Sequence, residues 1–418
     1  MNGGGFLGPN GGSGGNGTVG GNGGQVNFQA GAVTTGTGDT IVLVGGKGGF
    51  TTVGGTGGAG GSVGVTIGSV NMGVSSLFSA AGGNFSTAGS TGGDASISVT
   101  NLALGTSSSF SVAGGTGGTG TANLGAVTMV SGSQLTAQGI NAAITVTALN
   151  GTGSVSVGNG GNLQITGGSF NGIINSGTLV ENGGGSVTLN GATTLLSGAN
   201  LIAGNFILGD ASSPSAFLQG SVTVSSSASF YGYGKVNGTV TNSGLVLPGG
   251  STGSLTFAQF NQTSNGTLDI HIKPGNDQSS FLSVSGASLD GNLGIISSVA
   301  NYGFRDRYTL ISGGAISGTF ASFPTLIQGM DSHLIYDSNK VSLILLHPNV
   351  DFTAFATTLN GTNVALALNQ SLLTESDSLS GKEGELFFLP SGQGTLLDQM
   401  GGEPLRRPAE RPAGQPSI

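Results

Sequence analysis

Cysteine is absent from this chain of 418 residues. A disulfide framework, a thiolate metal site and a cysteine nucleophile are therefore excluded. Charge is almost as scarce: Asp, Glu, Lys and Arg make up 7% of the residues, against roughly 25% in an ordinary domain. Basic residues are the rarest, and Lys47 is the only one before Lys235. Nucleic acid and acidic lipid are both held by clustered Lys and Arg. A chain of net charge −8 without such clusters is expected to bind neither. No stretch reaches the roughly 18 apolar residues of a membrane helix, so no transmembrane segment is expected. Residues 1–24, rich in Gly and Asn, lack the charged and apolar regions of a signal peptide. They read as a flexible tract.

Glycine is what the chain has in excess, 85 residues, about 20% where roughly 7% is usual. A mean hydropathy of +0.20 argues against disorder, which goes with low hydrophobicity and high charge. From about residue 25 to 346 short apolar alternations are broken by Gly, Asn and Ser. Examples are Val63, Val65 and Ile67; Ile97 and Val99; Ile144 and Val146; Val155 and Val157; Val187 and Leu189; Val222 and Val224. A period of two with β-branched residues predicts strands.

The segments also repeat. Val70, Met72, Phe78 and Ala80 align with Leu102, Leu104, Phe110 and Val112, and then with Val127, Met129, Leu135 and Ala137. A second pair aligns Ser169–Leu179 with Lys235–Leu245, matching Phe170 to Val236 and Ile174 to Val240. Repeats of roughly 20–45 residues, each too small to fold alone, predict a stacked solenoid with one continuous apolar core. Beyond residue 350 an Ala- and Leu-rich stretch, 358–373, predicts a short helix capped by Asn360 or Thr362. Residues 404–418, with four prolines and three arginines, predict a disordered tail.

Chemistry-bearing clusters are not evident. The acids before residue 235 are Asp39, Asp94, Glu181 and Asp210, too dispersed to predict the paired carboxylates of a glycosidase. Gly249, Ser251 and Gly253 match G-x-S-x-G, but between strands rather than at a strand-to-helix turn; a turn is predicted. His271, His333 and His347 have no metal-ligand spacing, and His271, between Ile270 and Ile272, should face solvent. Gly45, Gly46, Lys47 and Gly48 lack the Ser or Thr of a phosphate loop. Arg305, Asp306 and Arg307 read as a solvated turn. No catalytic, cofactor-binding or metal-ligating residue is assigned, and no cofactor is expected.

Residues 234–346 resemble the C-terminal junction, or autochaperone, region of autotransporter passengers. Gly238, Val240, Asn242, Gly244, Pro248, Gly249, Ser251, Gly253 and Leu255 are similar to the family's G-x-V-x-N-x-G-x-x-x-P-G-x-S-x-G-T-L. Leu282, Val284, Gly286, Ala287, Leu289, Gly291 and Leu293 are similar to D-x-L-x-V-x-G-x-A-x-L-x-G-x-L, with the departure that Phe281 stands before Leu282 where the family often has Asp. Tyr308–Ile311 and Gly318–Phe320 match Y-T-L-I and G-x-F. Residues 363–369 resemble the linker helix, and 395–403 resemble A-L-D-Q-L-S-G-E.

The resemblance implies an all-β fold: a right-handed parallel β-helix (solenoid), closed by a C-terminal β-sandwich-like cap and followed by a short helical tail. The expected division is 1–24 flexible, 25–233 solenoid repeats, 234–346 junction region, 347–403 linker toward a missing translocator barrel, and 404–418 tail. The implied function is a non-enzymatic stalk or adhesin on the surface of a Gram-negative bacterium, or secreted. Its partners would be ligands on host or neighbouring cells and its own barrel. The absence of cysteine suits a chain that crosses the periplasm unfolded. Without an export signal, the chain is expected to be a piece of a longer protein. The alternatives are a polysaccharide-degrading β-helix enzyme and a Gly-rich low-complexity surface protein. Residues 234–346, where Phe257, Phe260, Phe281, Tyr302, Phe304, Tyr308, Phe320 and Phe323 gather, are expected to be the most stable part and the folding nucleus.

Overall fold

The computed structural model describes residues 6–52, 54–85, 90–158, 160–250, 252–273, 278–297, 302–373 and 380–402. The tail 404–418 lies outside them. The molecule is mostly β: among the described residues 28 strands join in one large sheet, with three short α-helices near the C-terminus.

The chain repeatedly returns to pair with itself in parallel. Twelve such pairings connect thirteen successive segments, from Val26–Thr34 to Arg305–Gly318. Val26 pairs with Val63, Val63 with Ala95, and Ala95 with Gly120. The return therefore shortens from 37 to 32 to 25 residues. Near Leu163, which pairs with Leu179, it is 16.

The register stacks like on like. The first repeat is reproduced residue for residue: Val70, Leu102 and Val127 are register partners, as are Phe78, Phe110 and Leu135. All six are buried. The Phe78 and Phe110 rings stack at 5.0 Å, and burying each contributes roughly 1.5–3 kcal/mol. The alternating residues from Val63 to Val224 named above are buried as well, because a period of two sends them all to one face.

The second repeat behaves differently. Ile174 is in line, through Thr193 and Leu218, with Val236 rather than Val240. One pass contains several strands with the same inward–outward code and Asn-Gly corners, so the motif recurs on a different face.

The long early returns are filled by glycine. Residues 6–24, expected to be flexible, instead carry strand Phe6–Leu7 and a series of backbone hydrogen bonds. One chain of N–H to carbonyl bonds runs from Gly115 through Gly93, Gly83, Gly61, Gly46 and Gly24 to Gly12, each 2.7–2.8 Å. The local sequence is X-Gly-Gly, as in Asn22-Gly-Gly, Lys47-Gly-Gly and Thr91-Gly-Gly, with X exposed. Three residues is the period of the polyproline II helix, whose backbone makes no internal hydrogen bonds. Every such segment must therefore find its partners in its neighbours. Asn and Asp at X add cross-links: Asn16 Oδ1 accepts from Phe50 N–H at 2.8 Å and Asp94 Oδ1 from Thr119 N–H at 2.8 Å.

At the other end the pattern turns antiparallel. Arg305–Gly318 pairs with Lys340–Leu346, which pairs with Met330–Asp337. Residues 305–307, read from sequence as a turn, thus begin a strand, because Tyr308 and Leu310 beyond them are inward and fully buried. Strand Lys340–Leu346 is buried on both faces: Val341, Leu343 and Leu345 join the main core, while Ile344 and Leu346 join a second one.

The second core holds helices α1 (Leu359–Ser371), α2 (Ser380–Phe387) and α3 (Gln393–Met400). Thr358, not Asn360 or Thr362, caps α1: its Oγ1 accepts the Gly361 N–H at 3.0 Å. Asp398 of α3 accepts from the hydroxyls of Thr357 and Thr358, which holds that residue at the helix start.

Candidate functional site

Three of the four early acids are engaged in local structure. Asp39 Oδ2 accepts the Gly36 N–H at 2.7 Å, and Asp94 also accepts the Thr119 hydroxyl. Asp210 ends a polar ladder: Asn190 donates to Asn171 Oδ1 and to Asp210 Oδ2, both at 3.0 Å. The Ser212 hydroxyl on Asp210 holds its carboxyl below the usual range. Glu181 stands apart. It is fully buried, in register between Ile165 and Leu201, and its carboxylate oxygens make no hydrogen bond of good geometry among the described residues, only weaker approaches to the backbone of Gly183 and Ala203. Burial pushes its pKa up, offset only in part by the backbone of Gly183 and Ala203.

Ser251 lies outside the described residues. The glycines around it have a packing role: a Cβ on Gly249 or Gly253 would stand 2.7 or 2.2 Å from the Tyr233 ring. The Gly249 N–H donates to Gly232 at 2.7 Å and the Gly253 N–H to Gly249 at 2.7 Å. This G-x-S-x-G is a bed for a tyrosine. His271 is half-buried, beside Asp269, whose pKa is raised by burial and lowered by that histidine. His347 packs on Phe387 and Phe388 at 5.6 and 5.3 Å. Lys47 Nζ sits 5.1 Å from the Phe50 ring centre. No group of three His, Asp or Glu able to hold a metal ion occurs among the described residues. No helix among them is long and apolar enough to cross a membrane.

Of the expected aromatic cluster, Phe257, Phe260, Tyr308 and Phe320 are buried. The line of rings begins earlier, running from Phe206 to Phe230, Phe257 and Phe260 at 5.4, 5.5 and 5.8 Å.

Two further arrangements emerge from the register. Inside, Asn242 and Gln262 are buried register partners. Asn242 donates to Gln262 Oε1 at 3.2 Å and to the Thr267 carbonyl at 3.0 Å, and accepts the Gly244 N–H at 3.1 Å. Gln262 donates to the carbonyls of Asp290 and Asn292 at 2.9 and 2.8 Å. These amides satisfy backbone groups at corners where the strand ladder is interrupted. Asn242→Leu should therefore cost about 2 kcal/mol or more by stranding the Gly244 and Thr267 groups. Denaturant unfolding checks this, and an unchanged midpoint would refute the role.

Outside, an uncharged ladder runs in register through Thr66, Ser98, Asn123, Thr145 and Gln164. It resumes as Asn200, Thr223, Thr241, Asn261 and Ser288. Its members are exposed or half-exposed. Such a face offers hydroxyl and amide groups but no acid, base or nucleophile pair.

Compared with known proteins, the chain matches no family model and no curated protein.

Proposed function

We propose that the parallel passes wind as a right-handed β-solenoid, closed by the antiparallel strands at 305–346 as a β-sandwich-like cap. In this reading the protein is a non-enzymatic surface stalk or adhesive shaft of the autotransporter passenger type. The observation that carries it is the register. Thirteen parallel segments stack their apolar side chains inward, and ten of them carry the uncharged Ser, Thr, Asn and Gln ladder outward. At about 4.8 Å per step this makes a rod on the order of 60 Å, a shape suited to presentation over distance. The resemblance of residues 234–403 to a junction region and linker supports the family assignment. Asn242, within the first matching motif, is a buried amide paired in register with Gln262, which supports the resemblance.

Antibody raised against the purified chain should label intact, unpermeabilised cells of the source organism, and negative-stain images of the chain should show rods. Labelling only after permeabilisation would refute surface display. Compact particles would refute the rod.

A further inference from the structure

The helical module contains a cavity that the rod does not use. It has a volume of about 330 Å³ and is walled by Leu368 of α1, Leu386 and Leu389 in and beyond α2, and Leu396 and Met400 of α3. Leu396 and Met400 are 41% and 58% exposed, so the α3 side faces solvent. One acid in this apolar lining is shut away from water: Glu383 is 1% exposed. Its Oε1 accepts from the Ser371 hydroxyl, while Oε2 has no hydrogen-bond partner among the described residues. Glu385, the other acid at the cavity, is exposed.

A desolvated carboxylate with one unpartnered oxygen is costly unless a cation or a strong donor meets it. An apolar chain alone would fill the leucine walls but leave Oε2 unpaired. An anionic amphiphile would be repelled by both glutamates. A ligand with a hydrocarbon chain and a terminal ammonium satisfies both parts of the site, with a charge-assisted hydrogen bond at the acid. We propose that this cavity binds small primary alkylammonium compounds, the chain against Leu386 and Leu396 and the ammonium on Glu383.

The test is calorimetry on the full chain with octylammonium, octanol and octanoate. Octylammonium should bind at least about 10-fold more tightly than octanol, with octanoate weakest. Glu383→Gln should bring octylammonium down to the level of octanol, whereas Glu385→Gln should preserve the preference. Equal affinities on the unmodified chain, absence of binding by all three, or a preference that survives Glu383→Gln would each overturn the proposal. So would binding of an apolar lysine-bearing peptide without binding of octylammonium, which would make the groove a protein contact. The three probes on the unmodified chain decide the matter even where Glu383→Gln disturbs α2.

Discussion

Gly83→Ala is expected to unlock the N-terminal third of the molecule. A Cβ at Gly83 would stand 2.0 Å from the Gly46 carbonyl oxygen and 2.7 Å from that of Gly45, so backbone meets backbone and no side chain can turn aside. Gly83 also both donates and accepts in the chain of bonds from Gly115 to Gly12. Overpacking ordinarily costs about 1–3 kcal/mol, and this site should lie at or above the top of that range. Lys47→Ala, at an exposed X position between the same glycines, should stay within about 0.5 kcal/mol. Hydrogen exchange supplies the measurement. In Gly83→Ala the amides of Gly46, Gly61, Gly93 and Gly115 should lose protection together. Retained protection would mean that the glycine segments do not hold one another in place.

Glu181→Leu should stabilise the protein at neutral pH. The residue sits between Ile165 and Leu201 in an inward line, where its carboxylate makes no well-formed hydrogen bond among the described residues and burial raises its pKa more than the nearby backbone of Gly183 and Ala203 lowers it. The folded state therefore holds this proton more tightly than the unfolded chain does. The sign follows: below the ordinary value of 4.5 both states are protonated and the penalty vanishes. As pH rises from there through the raised folded-state pKa, stability falls, and it stays low at pH 7. Removing an unsatisfied buried group recovers about 1–3 kcal/mol, and a leucine matches the residues on either side. Denaturant midpoints at pH 7 and pH 4 check this. The variant's advantage should be largest at pH 7 and narrow toward pH 4. A variant less stable than the original at pH 7 would show that Glu181 has a compensating partner.

Expecting stability to centre on residues 234–346 takes account of only part of the aromatic core. Phe257, Phe260 and Tyr308 are fully buried there, but so are Phe78, Phe110, Phe206 and Phe230 earlier in the chain. In a stack each pass rests on its neighbour, so a line of rings crossing residue 234 joins the two regions instead of separating them.

Inward and outward assignment was legible from sequence, because alternation in a strand leaves no choice of face. Register was legible for Val70, Leu102 and Val127, where the repeat copies are neighbours in space. It was misleading for Ile174 and Val240, where a shared Asn-Gly corner joins different strands of a pass. The glycine segments were misread as loose because X-Gly-Gly has no apolar pattern and no bonds within its own segment. The order comes from carbonyls in other segments, 10 residues away between Gly83 and Gly93 and 22 between Gly46 and Gly24. Likewise Glu181 and Glu383 are unremarkable polar letters until burial sets the cost of leaving them unsatisfied.

By itself, then, the sequence determined strand character, the facing of the alternating apolar residues from Val63 to Val224 and the local helix of 359–371. These depend on periodicity, which acts over a few residues. Tertiary structure decided which passes meet, how the glycine segments share their hydrogen bonds, and which polar groups are sealed from water. Those outcomes depend on contacts between residues distant in the chain, and on a dielectric environment that exists only once the segments have stacked.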